Sequence, residues 1–157
     1  MQSEKLVVWE PIEDKVNQFS RFYNELLFHE MLYQKDFVLV FEDVNHRKKY
    51  SFTYKQDKTT TYAIISFRLF DEMTRPDVEN LISKVGEQRE EDGLSKLTYE
   101  PTFYKVENSS FLSWYDNIHP ARVGLHPNAE HHLYITSDYM IDVLSEHEPI
   151  VTVENQE

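Results

Sequence analysis

The sequence predicts an α+β domain, a mostly antiparallel sheet with two short helices packed on it. Two observations carry this expectation. From Phe37 to Phe70, aromatic and β-branched runs are separated by short polar turns. The apolar period then lengthens to that of a helix at Val78, Leu81, Ile82 and Val85, and strand-like runs return from Phe103.

Leu6 to Trp9 is a short apolar run closed by Pro11 and reads as a strand. Ile12, Val16, Phe19 and Tyr23 recur at helical spacing, which suits a helix from about Ile12. The stretch from Tyr23 to Met31 also suits a strand. Phe37 to Phe41, Lys49 to Tyr54 and Thr60 to Phe70 read as three consecutive strands of one meander, with turns at Glu42 to Arg47 and at Asp57-Lys58. In the helix that follows, Thr74 and Asp77 have capping-box spacing and Pro76 suits the first turn. Gly86 or Gly93 ends it. Phe103 to Glu107 is a strand. Asn108 or Ser109 can cap a helix from Ser110 to about Ile118, stopped by Pro120. His119 to Glu130 reads as a long loop. Leu133 to Thr136 and Tyr139 to Leu144 flank Ser137-Asp138 and read as a hairpin, and Ile150 to Val153 adds an edge strand. A two-residue turn places Leu133 opposite Asp142, one carboxylate in an apolar row with Ile135, Met140 and Leu144. Burying it unpaired would cost several kcal/mol, so it needs a partner.

The 157 residues form one domain, with a short acidic tail from about residue 154. Hydrophobic residues are 40 % and aromatics 14 %, too many for a disordered chain. Only three glycines occur, Gly86, Gly93 and Gly124, so no GxGxxG, Walker or GxSxG motif can be written. The absence of cysteine excludes thiol nucleophiles, disulfides and cysteine zinc sites, and fits a reducing compartment. No apolar run approaches the ~20 residues of a membrane span, and the polar start carries no signal or lipidation motif. The expectation is a soluble, cytoplasmic protein that needs no cofactor.

Net charge is −12, from 28 acidic and 16 basic side chains. That disfavours nucleic-acid backbones and favours a basic protein partner. Arg122 is the last basic residue other than histidine, and seven acids follow it. Glu130, Asp138, Asp142, Glu146 and Glu148 are the candidate partner contacts, with Tyr139 and Trp114 as aromatic anchors. A solvated acidic face is the plainer account of the same residues. The histidines are the other chemical material. His126 and His131 are the candidate metal ligands of an alternative reading, a metal-dependent enzyme, with His132 in place of His131 as a variant. His131 and His132 are adjacent on a strand and point to opposite faces, which works against one shared metal. Ser109-Ser110 reads as a cap rather than a nucleophile.

Three segments carry a resemblance: Trp9-Glu10-Pro11-Ile12; Phe103 to Ser109 with Phe111 and Trp114; and His132 to Leu144 with Glu148-Pro149. They resemble a loosely defined family of small uncharacterised Gram-positive bacterial proteins, similar in outline to immunity proteins that neutralise polymorphic toxins. The resemblance implies a binding protein and carries no catalytic residues. The function expected is therefore a non-catalytic binding module of immunity or antitoxin type, with a homodimer through the terminal strand as a further possibility.

Overall fold

The computed structural model describes residues 2–12, 19, 26–57 and 62–156. Its strands are β1 (Lys5–Val8), β2 (Leu27–Tyr33), β3 (Phe37–Asp43), β4 (Lys48–Tyr54), β5 (Ser66–Asp71), β6 (Phe103–Glu107), β7 (Glu130–Ile135), β8 (Tyr139–Ser145) and β9 (Ile150–Asn155). The helices are α1 (Pro76–Ser83), α2 (Val85–Glu91), α3 (Ser110–Ile118) and the single turn α4 (Arg122–Leu125). The strands make two antiparallel sheets, ordered β1-β6-β7-β8-β5 and β2-β3-β4-β9. The result is α+β, mostly sheet. No helix among the described residues is long and apolar enough to cross a membrane.

The period-two pattern explains why the sheets face each other. Phe37, Leu39 and Phe41 lie opposite Tyr54, Phe52 and Tyr50 across the β3–β4 ladder, and all six are buried. Phe103, Tyr134, Ile141 and Val143 of the larger sheet complete this core. The rings interlock: Tyr134 meets Phe52 edge-on at 5.3 Å and stacks on Phe41 at 5.6 Å. Such pairs add about 0.5–1.5 kcal/mol each beyond burial. The alternate residues of the larger sheet, Leu6, Tyr104, Val106, Leu133, Ile135 and Met140, face the other way and take Val78 of α1 and Val85 of α2. The larger sheet is thus a middle layer with a core on each face.

Several elements differ from the sequence reading. The strand at Ser66–Asp71 leaves the meander and pairs with β8 in the other sheet. The third strand of the meander is β2, against β3. The expected helix from Ile12 falls largely on residues outside the described ones. The capping box does not form. Glu72–Thr74 is a 3-10 turn, Thr74 donates to the Asp71 carbonyl, and Arg75 stands at the N-cap without a side-chain cap. Asp77 is drawn instead to the Arg75 guanidinium through contacts of 3.0 Å from Nε and 3.0 Å from Nη2. A charge-assisted two-point contact outcompetes a single return to a backbone amide. The helix breaks at Lys84 into α1 and α2, α4 interrupts the expected loop, and β9 takes in Glu154 and Asn155, expected as tail. The C-terminal hairpin has the anticipated register, with Leu133 opposite Asp142 and Tyr134 opposite Ile141.

Truncating the fully buried Phe52 to alanine should cost about 3–5 kcal/mol in urea unfolding. Truncating Ile150, 54 % exposed on the edge strand, should cost about 0.5 kcal/mol or less. Equal losses would contradict a core between the sheets.

Candidate functional site

The hairpin register also settles where two polar side chains meet. His131 lies opposite Leu144 and Leu133 opposite Asp142, so His131 and Asp142 are diagonal neighbours on the helix-facing side of the sheet. His131 Nε2 is 2.6 Å from Asp142 Oδ1. On the other side of the ring, Nδ1 is 2.7 Å from Ser109 Oγ. Ser109 caps α3 and accepts the Leu112 N–H at 3.0 Å. All three residues are buried, Asp142 completely.

Asp142 Oδ2 takes two cations. Arg75 Nη1 donates at 2.7 Å, and Arg68 Nε, directly across the β5–β8 pair, donates at 3.3 Å. Arg68 lies over the Phe111 ring at 3.9 Å, and Phe111 in turn meets His131 edge-on at 5.7 Å. Burial alone would push the Asp142 carboxyl up. The hydrogen bond from His131 and the neighbouring positive charge outweigh burial and hold it well below the usual carboxylate range.

Beside this cluster the larger sheet opens. The β6–β7 pairing ends at Lys105 and His132, although β6 runs on to Glu107 and β7 begins at Glu130. A cleft of about 770 Å³ fills the gap, lined by Val7, Asn108, Ser109, Leu112 and His131 among others. Asn108 turns the chain from β6 into α3 at φ 54°, a left-handed conformation that asparagine tolerates better than most residues.

His132 points into the other layer. Its Nε2 is 3.3 Å from Glu130 and its Nδ1 2.8 Å from the Tyr54 hydroxyl, which is 2.6 Å from that of Tyr134. A carboxylate only accepts, so Nε2 carries the proton. Nδ1 then accepts from Tyr54, and Tyr54 accepts from Tyr134. Trp9 stacks on the imidazole at 4.6 Å. Burial pushes the His132 pKa down and outweighs the pull of Glu130. The hydrogen bond from His132, opposed by burial and helped by Lys105, holds Glu130 down to about 2.

No protein-family model, curated protein or solved structure matches this chain.

Each of the acids singled out in the sequence has a partner within the chain, but only Asp142 is buried; Asp138 and Glu148 are exposed. Asp142 is interior and offers no surface to a partner; burial with paired arginines is the reason. Glu130 and Glu148 converge on Lys105. Glu146 holds His126, and Asp138 accepts from Thr136 Oγ1 at 2.7 Å. Tyr139 is half-buried against Phe28 at 5.3 Å. Trp114 is 55 % exposed. His126 and His131 have separate partners, and no group of three or more His, Asp or Glu side chains among the described residues could hold a metal ion. Ser109, Arg68 and Arg75 were missed. Ser109 read as a cap, which it is; His131 was legible one step along the Asp142 row.

Asp142→Asn removes the interior carboxylate that Arg75 and Arg68 share, leaves Arg75 with Asp77 alone, and should cost about 3 kcal/mol in urea unfolding. Acidification should remove stability in two stages. A depressed histidine pKa stabilises the fold above its ordinary 6.5, so the His132 share fades as pH falls below that value. The Glu130 and Asp142 shares are complete above their ordinary 4.5 and 3.8 and fade only below those values. Urea midpoints measured from pH 8 to 3 should show both stages, and His132→Gln should remove the first.

Proposed function

We propose that this protein is a cytoplasmic protein-binding module that docks a basic partner through the exposed face of α3 and α4. The observation that carries the reading is Trp114. It stands 55 % exposed with Ile118, one turn on, 52 % exposed. The short α4 adds Val123 and Leu125, both exposed. Exposed apolar side chains grouped on one helix are the usual content of a docking surface, and a tryptophan is its commonest anchor. The ring is propped by Phe111 at 5.9 Å, which limits the entropy lost on binding. Arg122 ties the two helices by bonding Asp116 and the His126 carbonyl.

Charge supplies the other half. A net charge of −12 speeds encounter with a cationic protein and makes the rate fall with salt. Because Glu130 and Glu148 already pair with Lys105 and Glu146 with the His126 ring, the charge acts chiefly by long-range steering. The most specific form of the reading is an immunity protein covering a basic surface of a toxin, which the loose family likeness supports.

The test uses wild-type protein and Trp114→Ala as paired baits in host lysate, both checked by circular dichroism. A basic polypeptide held by the first, released by a salt step and weakened about 30-fold on the second, equivalent to about 2 kcal/mol, is the expected result. Identical retention on both baits would refute the docking face. An empty wild-type bait that elutes as a dimer in light scattering would assign self-association through the edge strand β9 instead.

A further inference from the structure

We propose that Ser109 is the nucleophile of a carboxylic-ester hydrolase site, with His131 as its base and Asp142 as the group that positions the base. The site is separate from the docking face. Ser109 stands at the N-terminal end of α3, on the cleft, whereas Trp114 and Ile118 lie farther along the helix.

The proton positions follow from chemistry. Asp142 is ionised and only accepts, so His131 Nε2 carries hydrogen across the 2.6 Å contact. In the neutral ring that the proposal requires, Nδ1 carries the lone pair, 2.7 Å from Ser109 Oγ. The Leu112 N–H occupies one lone pair of Oγ, and the hydroxyl hydrogen points to Nδ1. A second lone pair remains for attack. The order serine, imidazole, carboxylate is that of Ser-His-Asp sites, which are recognised by geometry and not chain order, with the two ring nitrogens exchanged. A cap and a nucleophile are compatible roles for one oxygen.

The backbone is arranged in the same sense. Ser109 follows Asn108, held at φ 54°, on a sharp strand-to-helix turn. In nucleophile elbows the serine itself carries the strained φ, whereas here Ser109 is extended at φ −62° and Asn108 takes the left-handed turn. The shared feature is that the N–H of the residue after the serine can stabilise an oxyanion. The next residue here is Ser110, whose N–H donates to the Glu4 carboxylate. That position therefore already accepts a negatively charged oxygen. It also means that Glu4 competes with any oxyanion formed on Ser109.

Access is through the cleft between the parted ends of β6 and β7. Its volume of about 770 Å³ is enough for a small organic ester, and both Ser109 and His131 line it. The two arginines on Asp142 narrow the substrate class. They share the carboxylate's charge, so it stabilises a developing imidazolium less than an unshared one would. That suits esters, whose alcohols leave more readily than amines.

The steps balance. Ser109 Oγ bonds to the ester carbonyl carbon as its proton passes to His131 Nδ1. The oxyanion lies at the Ser110 N–H in place of Glu4. Collapse breaks the carbon–alkoxy bond, and His131 returns the proton to the departing alcohol. Water then attacks the acyl-serine, gives its proton to His131, and Ser109 Oγ leaves and takes that proton back. The products are one acid and one alcohol.

The experiment treats the full chain with an alkyl fluorophosphonate, which a nucleophilic serine captures with loss of fluoride, and maps the adduct by mass spectrometry. The expected result is one adduct, on Ser109, absent in Ser109→Ala, and formed about tenfold faster in Glu4→Ala, which frees the Ser110 N–H. The Glu4 variant keeps the result independent of any destabilisation from losing the cap. Hydrolysis of p-nitrophenyl acetate should follow the same order. A purely structural Ser109 would give no adduct in wild type or Glu4→Ala while a known serine esterase labels fully. That outcome, or label spread over other residues, overturns the proposal.

Discussion

A fully buried carboxylate is the constraint on which the helix-facing half of this molecule depends. An ionised group inside a protein costs several kcal/mol unless its oxygens are matched by donors. Asp142 is matched from several elements: Arg68 on β5, Arg75 ahead of α1, and His131 on β7, which reaches on to Ser109 at the start of α3. Features that look unrelated follow from this demand. β5 joins the larger sheet in a register that sets Arg68 opposite Asp142. α1 begins without a polar cap because the residue at its N-cap is an arginine turned inward and Asp77 closes over it. α3 begins where its capping serine also meets the histidine.

This dependence explains what the sequence could and could not reveal. The hairpin was legible because a two-residue turn and period-two alternation leave one register. From it the carboxylate's need for a partner was legible as well. The identity of the partners was not. Arg68 and Arg75 lie 74 and 67 residues from Asp142, and no local pattern links them. The same limit misplaced β5. Alternation says that Ser66–Asp71 is a strand but not which sheet takes it. The Thr74–Asp77 spacing misled because capping rules see only local competitors, and here the competitor was a buried guanidinium. The four residues of α4 are too few to show a period.

The strand β7 shows how two adjacent histidines acquire different chemistry. Period two sends His131 to the helical layer and His132 to the sandwich. In the first, the imidazole bridges a carboxylate and a hydroxyl. In the second, it ends a line of tyrosine donors and is stacked under Trp9. The tyrosines explain how so aromatic a core stays polar-satisfied: Tyr134 and Tyr54 bury both rings while passing their hydroxyl hydrogens outward to Glu130 at the rim. Phenylalanine would fill the same space but strand the His132 nitrogen.

Net charge and charged sites are therefore different quantities in this chain. The excess of acids suggests an acidic contact surface, yet Glu130 and Glu148 pair with Lys105, Glu146 with His126 and Asp142 with the arginines. The residual charge acts at a distance, where only its sum matters, and falls off over about 10 Å at ordinary salt. Short-range recognition is left to what no internal partner claims. On α3 that is the exposed tryptophan along the helix, and a serine at its start whose hydroxyl faces both an imidazole and an open cleft. One nine-residue helix thus presents two surfaces of different chemistry, and the Asp142 cluster at its base fixes the orientation of both.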